Sequence, residues 1–334
     1  MPGLSLPVVT HVDLRTPTTL TVRLLPGQIL ADLTGDLSRL AEGMGVAAVR
    51  VRPFRHGWVH VLLLPADPLA VTIPHPRPVP DLERGVYLGK DEDGKSITAD
   101  LVTGAHMIVQ GATGSGKSSF LYSVLGQVAS TPGVRVTGSD PTGLLLAPWP
   151  SLELPGPALG TSDPAAHVAV LEGLVAEMDR RVALIPADHD SLPLGADHPA
   201  VLVVLEEYPG LLRLLDAVDS KGLGKRIRAA VARLLAEGRK AGLRVIIVAQ
   251  RADASIIGGY ERGQASHRLS FRVDSVDALR MLHPNATPDA AGDHSTALPG
   301  IALLSAPGMP LTRLRAPHVD YRTYTKTIRS AGTR

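Results

Sequence analysis

The chain has 334 residues, a formal net charge of +2, 44% hydrophobic and 20% charged side chains, and no cysteine. That is room for one large domain and a smaller companion, and it excludes disulfides and thiolate metal sites. No apolar run approaches the ~18–20 residues needed to cross a bilayer, and the opening MPGLSLPVVTHVD lacks the basic and apolar regions of a signal peptide, so a cytoplasmic protein is expected.

Along the chain, Thr18–Leu25 alternates as a strand with one wet face does. Pro26-Gly27 then opens a helical stretch with Ile29, Leu33, Leu37, Leu40 and Met44 on one face, closed by Gly43 and Gly45. Ala47–Val51 and Trp58–Leu64 read as paired strands, which makes the first part a small β-α-β domain. From Pro65 to Pro80 the prolines are too dense for a central strand or a helix, so this passage reads as a stiff linker. The domain boundary is set there, giving residues 1–78 and 79–334.

Beyond the linker, strands and helices alternate. Met107–Gln110 is a short apolar strand that runs into a glycine loop, with a helix from Lys117; Val134–Gly138 is a strand ending at Asp140-Pro141. Ala165–Leu184 carries Leu171, Leu174, Val175, Met178 and Val182 on one helical face, and Val201–Leu205 is an unbroken apolar run, the mark of a strand covered on both sides. Ile227, Val231, Leu234 and Leu235 mark another helix; Val245–Val248 and His267–Val273 are further strands. This rhythm predicts an α/β fold whose sheet is mainly parallel, with helices on both faces.

Gly111-Ala112-Thr113-Gly114-Ser115-Gly116-Lys117-Ser118, followed by Ser119, satisfies G-x-x-x-x-G-K-[ST] at every fixed position and lies between a strand and a helix. Glycines let successive amides face a phosphate, Lys117 neutralises the β/γ oxygens of ATP, and the Ser118 hydroxyl reaches Mg²⁺. The helix behind the loop points its positive end at the same anion. The expected class is therefore a P-loop NTPase of RecA-like architecture. Glu206-Glu207, after the buried strand Val201–Leu205, would bind Mg²⁺ through the first carboxylate and polarise the attacking water through the second. Alone, the pair could equally be charges at a helix start. Asp is the usual first residue, and Glu206 is one methylene longer. Gln250, at the end of the next strand, can read the γ-phosphate or be an ordinary strand end.

Thirteen Lys/Arg against five Asp/Glu fall between Lys221 and Arg280, so this segment holds an excess of eight positive charges and the rest of the chain sums to about −6. Such a segment is either a footprint for a polyanion or a salt-bridged, solvated helix face. His11, His56, His60, His75, His167, His189 and His198 have no metal-ligand spacing and are expected on surfaces or loops; Trp58 and Trp149 are too isolated in the sequence to stack nucleic-acid bases.

Gly89-Lys-Asp-Glu-Asp-Gly-Lys-Ser-Ile-Thr-Ala-Asp-Leu101, His106, GATGSGKSS, VRVTGSDP, VAEMDRRV, LEEYPGL, EGRKAGLRVIIVAQR and HRLSFRVDSVDAL occur in this order over residues 80–310. The set resembles the motor of FtsK/SpoIIIE-type DNA translocases, and the first β-α-β part resembles the small domain that precedes it. The resemblance implies a ring of identical subunits, usually six, that encircles double-stranded DNA and pumps it with ATP hydrolysis. It assigns Arg239 to the neighbouring subunit's ATP site as a catalytic finger, and Arg251, Arg262 and Arg280 to loops facing DNA. No N-terminal membrane segments are found and only a short tail follows Pro310–Pro317, too little for a winged-helix domain, so the chain is expected to be a bare motor, a portion of a longer protein, or one that borrows membrane attachment and DNA-site reading from separate partners. Transfer of conjugative plasmids or integrative elements between actinobacterial cells, or chromosome segregation, would be the biological setting. Rival readings are a type VII secretion-like ATPase that moves polypeptide, and a ring component that binds ATP without hydrolysing it, for which Glu206 is the only support.

Overall fold

The computed structural model describes residues 7–79, 85–101, 104–150, 154–218, 222–252 and 257–332. Pro80, at the end of the Pro-rich passage, and Lys221, first of the basic tally, lie outside them, as do residues 1–6 of the opening. The chain divides into two compact units, Met1–Thr72 with Lys90–Ser96, and Ile73–Gly89 with Ile97–Arg334.

The first unit contains β1 (Val8–Asp13), β2 (Thr18–Arg23), α1 (Leu30–Thr34), α2 (Leu37–Met44), β3 (Ala48–Arg55) and β4 (Trp58–Leu64). Its four strands form an antiparallel sheet in the order β1-β2-β4-β3. The single helix expected from the spacing of Ile29 to Met44 is two helices. Gly35 interrupts the run, and the Asp36 carboxylate accepts from the Arg39 amide at 3.1 Å, which starts a second helix. Strand β1 was not visible in the sequence because its residues are mostly exposed and a bulge between Val9 and His11 breaks the alternation. Val22, Val49, Val51, Val59 and Val61 form this unit's core with Ala41 of α2.

The second unit is built on ten strands: β5 (Val86–Asp91), β6 (Ser96–Ala99), β7 (Met107–Gln110), β8 (Val134–Asp140), β9 (Ala158–Leu159), β10 (Ala200–Leu205), β11 (Leu243–Ala249), β12 (His267–Phe271), β13 (Ile301–Ser305) and β14 (Thr312–Arg315), in the order β6-β5-β14-β13-β12-β7-β11-β10-β8-β9. From β12 through β9 every pairing is parallel; β13 and β14 add antiparallel strands at one side. The helices are α3 (Lys117–Val128), α4 (Pro164–Val182), α5 (Tyr208–Ala217), α6 (Leu223–Glu237), α7 (Gly259–Gln264), α8 (Val276–Leu282), α9 (Pro288–Ser295) and α10 (Tyr321–Gly332).

Alternate residues of the central strands feed two cores, as the strand period of two requires. Met107, Val109, Leu202, Val204, Ile246 and Val248 pack with α3 and α10. Ile108, Val201, Val203, Leu205, Val245 and Ile247 pack with α4, α5 and α6. The sheet is thus mainly parallel and covered on both faces. Among the described residues no helix is long and apolar enough to cross a membrane.

Candidate active site

Strand β7 lies between β11 and β12, with Gln110 opposite Ala249 on one side and Ser270 on the other. A strand held by parallel neighbours on both sides fixes the origin of the loop that leaves it. Close packing then shapes that loop. A Cβ on Gly111 would come within 2.6 Å of Phe271 Cβ, and one on Gly116, whose φ is +110°, within 2.7 Å of the Gly300 amide nitrogen. Only glycine lets these neighbours approach. The Ala112 amide donates to the Arg272 carbonyl at 2.8 Å, and the Gly300 amide to the Ser115 carbonyl at 2.8 Å, so the loop is braced from β12 and from the turn before β13. Helix α3 begins at Lys117, which leaves its first-turn amides without helical acceptors and aimed into the loop.

Lys117 Nζ donates to the carbonyl oxygen of Gly111 and, at 3.3 Å, to that of Ala112. Burial lowers its pKa; Glu207 and Glu206 oppose that shift. The Ser118 hydroxyl side is exposed, whereas Ser115 is buried with its hydroxyl unpartnered. Ser119, expected in the phosphate-binding set, has its side chain engaged elsewhere. Its hydroxyl donates to the Val319 carbonyl at 2.9 Å and accepts from the Val319 amide at 2.7 Å, so only its backbone is left to face a phosphate.

Glu206 and Glu207 follow β10 at the same, C-terminal, end of the sheet. The Glu206 amide donates to the Ser139 carbonyl at 2.8 Å, and its side-chain Oε2 is buried with no partner. Burial, then the negative charges of Asp140 and Glu207, push the Glu206 carboxyl up to about 7, against the pull of Lys117. Glu207 caps the start of α5 with φ +44°, the single positive φ of a non-glycine residue among those described. Backbone strain of this kind costs about 1–3 kcal/mol and concentrates at working sites. Its carboxyl is also raised by burial, with Lys117 and Arg213 opposing.

Asp140 is a member of this electrostatic site that the sequence reading left as a strand end. It is fully buried; Oδ1 accepts from the amides of Thr142 and Gly143 and the Thr142 hydroxyl, and Oδ2 accepts from the Leu146 amide at 2.9 Å. Its position at the end of the strand beside β10 was the available signal.

Gln250 is exposed, and its carbonyl, like that of Ala249, accepts from the Gly111 amide at 3.3 Å. Arg239 sits in a 3-10 turn, Gly238–Ala241, just before β11. Its side chain is exposed, and Arg244 Nη1 holds the turn by donating to the Arg239 carbonyl at 3.1 Å. The turn stands at the N-terminal end of β11, whereas the phosphate loop stands at the C-terminal end. Seven strand residues at ~3.3 Å each put roughly 20 Å between them. Arg239 is therefore not brought to its own chain's loop.

Arg251 and Arg280 are exposed; Arg262 is half-buried and donates Nη1 to the Ile257 carbonyl at 2.8 Å. The basic excess is smaller on the surface than in the sequence. Arg226 pairs with Glu172 at 2.6 Å, Arg228 with Asp216 at 2.7 Å, and Arg233 with Asp179 at 2.7 Å, all carboxylates from outside the basic segment.

One further expectation is corrected. His167 is buried, with Nδ1 at 2.7 Å from Ser139 Oγ and Nε2 at 2.7 Å from the Gly160 carbonyl, so it is a bonded core residue. Both tryptophans are engaged within the chain: Arg55 lies over Trp58 at 4.3 Å, and Trp149 Nε1 donates to the Tyr324 hydroxyl at 2.8 Å. Among the described residues no group of three His, Cys, Asp or Glu could hold a metal on its own. A P-loop magnesium site needs no such group, since its donors are phosphate oxygens, one hydroxyl and one carboxylate. The unpartnered Glu206 Oε2 and the exposed Ser118 fit that donor set.

Residues 80–190 match the model of the FtsK/SpoIIIE family, so the chain carries an FtsK/SpoIIIE-family domain. It is similar to a DNA translocase FtsK of Tropheryma whipplei, 30% identical over 212 residues that make up 59% of this chain and 28% of that protein. It is also similar to the Transfer protein TraSA of Streptomyces ambofaciens, 29% identical over 328 residues, 92% of this chain and 78% of that one. The chain thus spans about a quarter of the length of the FtsK relatives and most of the transfer protein. Among solved structures it shares its fold with the monomer form of the pCW3 conjugation coupling protein TcpA with ATPγS, at TM-score 0.61 and 18% identity over 98% of this chain and 94% of that one. The cytoplasmic domain of the type VII secretion ATPase EccC of Thermomonospora curvata follows at TM-score 0.55 and 20% identity, over 79% of this chain and 32% of that one.

Proposed function

We propose that this chain, with its FtsK/SpoIIIE-family domain, is an ATPase that moves double-stranded DNA, in the service of DNA transfer between cells. The observation that carries the reading is the joining of Lys117, Glu206 and Glu207 in one half-buried electrostatic site at the mouth of a glycine loop. The likeness to a transfer protein over most of both chains supports transfer as the setting.

The chemistry follows from these groups. Amides of the loop and of the first turn of α3 bind the β- and γ-phosphates, and Lys117 leaves the carbonyls of Gly111 and Ala112 to neutralise their oxygens. Ser118 and Glu206 hold Mg²⁺, which when bound supplies further neutralisation of phosphate charge. Glu207 orients a water in line with the γ-phosphorus and takes its proton as the bond to the β-phosphate oxygen breaks, releasing ADP and phosphate. Gln250, beside the loop, senses whether the γ-phosphate is present.

Arg239 acts on a second copy of the chain. An exposed guanidinium roughly 20 Å from its own loop has no use there, but a ring of copies presents it to a neighbour's phosphates. Arg251 and Arg280 contact DNA phosphates, which favours the duplex without reading its sequence. Arg262 serves its own loop through Ile257, which weakens its claim to DNA.

The test is an ATPase titration with duplex DNA, single-stranded DNA and a secretion-signal peptide, with particle size measured alongside. Stimulation by duplex in an assembled species is expected. Stimulation by peptide alone would move the reading to a polypeptide motor, and ATP binding without turnover to a structural ring.

A further inference from the structure

Behind the phosphate loop lies a buried hydrogen-bond network that the hydrolysis chemistry does not use. Gln110, the last residue of β7, is fully buried, and all of its amide's principal bonding capacity is taken up. Its Oε1 accepts from the Ala252 amide at 2.9 Å. Its Nε2 donates to Ser270 Oγ at 2.7 Å and to the Ala278 carbonyl at 3.0 Å. A flipped amide would set oxygen against the Ala278 carbonyl and NH₂ against the Ala252 N–H, so the orientation is unique. The Ser270 hydroxyl passes its proton side to His283 Nε2 at 2.8 Å, and His283 Nδ1 meets Ser305 Oγ at 2.7 Å. Burial holds His283 neutral, with its pKa lowered to about 3, which suits one nitrogen accepting and the other donating.

The partners matter because of their neighbours in sequence. Ala252 follows Arg251 directly, and Ala278 is two residues before Arg280 in α8. The residue that launches the phosphate loop is thus bonded to both segments that carry the exposed cations. A bonded side chain between closely packed elements transmits small displacements, since neither end can shift without losing a buried hydrogen bond.

We infer that Gln110 is a positioning residue that couples occupancy of the phosphate loop to the Arg251 turn and to α8. With the DNA reading of the preceding section, this makes it the device by which nucleotide state alters the grip on DNA; the coupling itself does not depend on that reading. Coupling between two sites is reciprocal in binding free energy and is typically about 5–150-fold in affinity.

The experiment uses the full chain and two substitutions of similar volume, Gln110→Met and Gln110→Leu, with Ser270→Ala as the branch control. Thermal unfolding identifies which of the Gln110 variants are folded, and calorimetry with ATPγS measures loop binding, expected within about threefold of wild type. Hydrogen–deuterium exchange of residues 249–252 and 276–283 is then followed with and without ATPγS. Wild type is expected to slow exchange in both segments. A folded Gln110 variant is expected to bind ATPγS and leave both unchanged, and Ser270→Ala to respond as wild type does. Failure of wild type to respond, a full response in the Gln110 variant, or loss of the response in Ser270→Ala equal to that of the Gln110 variant would each overturn the assignment. In parallel, affinity for a 30-bp duplex is measured with ATPγS and with ADP. Duplex binding indifferent to nucleotide in wild type, with the exchange response intact, defeats the DNA reading and leaves the coupling standing.

Discussion

The two ends of one parallel sheet are built for different jobs. At the C-terminal end β7, β8 and β10 deliver Gly111, Asp140 and Glu206, and there the chain accepts positive φ at Glu207, a half-buried carboxylate pair and an unpartnered oxygen. At the N-terminal end the backbone is fastened. His106 Nδ1 accepts from the Val245 amide at 2.9 Å, Arg244 holds the Arg239 turn, and burial keeps His106 neutral with its pKa lowered to about 4. The positive φ of Glu207 and the raised carboxyls mark the end that waits for a ligand, whereas the other end presents the exposed Arg239 and Lys240 on a turn held by Arg244. A chain with its phosphate loop at one end of the sheet and Arg239 at the other cannot bring the two together by itself, which is the geometry the proposed ring would use.

The sharpest way to break this comparison is complementation. Lys117→Ala and Arg239→Ala are each expected to reduce ATP turnover about 10³-fold, and mixing the two proteins is expected to restore part of it, because one interface in a mixed ring has both groups intact. Steady-state phosphate release measures this; a mixture as inactive as its components would place Arg239 outside catalysis. Glu207→Gln should fall by a similar factor while keeping ATPγS affinity, which separates the water-orienting role from phosphate binding.

The second prediction concerns the cost of the ligand-free site. A carboxyl whose folded pKa is raised to about 7 from an unfolded value near 4.5 binds more protons in the folded state within that window. Stability from this group is full below pH 4.5 and is lost as pH rises through 7. Glu206→Gln should match wild type near pH 4.5 and exceed it by about 3 kcal/mol at pH 8 without nucleotide, as read from urea midpoints. Equal pH profiles would remove the claim that Glu206 is held in a desolvated, like-charged setting.

The smallest effects lie on the surface. Arg251→Ala and Arg280→Ala should each reduce the slope of log affinity against log salt for duplex binding by about 0.9. Arg226→Ala should leave that slope unchanged, since Glu172 already neutralises it. Fluorescence anisotropy across a salt series distinguishes them; an Arg226 effect as large as that of Arg280 would mean that the charge segment acts as a whole.

How much of this was legible depends on whether a signal is local. The β-branched run Val201–Leu205 and the glycine loop declared themselves because burial on both faces and phosphate wrapping each dictate residue type over a few adjacent positions. Strand β1 escaped because its exposed residues and bulge leave no period to read. The helix of residues 29–44 was read as one because spacing counts apolar positions, whereas the break comes from a carboxylate cap at Asp36. Gln110 passed as the last residue of an apolar run, although its three partners come from residues 142 to 168 positions away. That the Ser119 hydroxyl is taken up by Val319, 200 residues on, has no local signal either.

The sequence by itself determined the loop, its lysine, the strand behind it and the acidic pair ahead of it, since each is a contiguous pattern enforced by backbone geometry and burial. Only the tertiary structure decided which charges are spent on partners, which carboxylate stands bare in a buried site, and that Arg239 and Gly111–Ser118 face opposite ends of one sheet. Those are properties of distance through space. A chain records them nowhere in its local order, because the strands that set the distance are brought together by packing and not by sequence proximity.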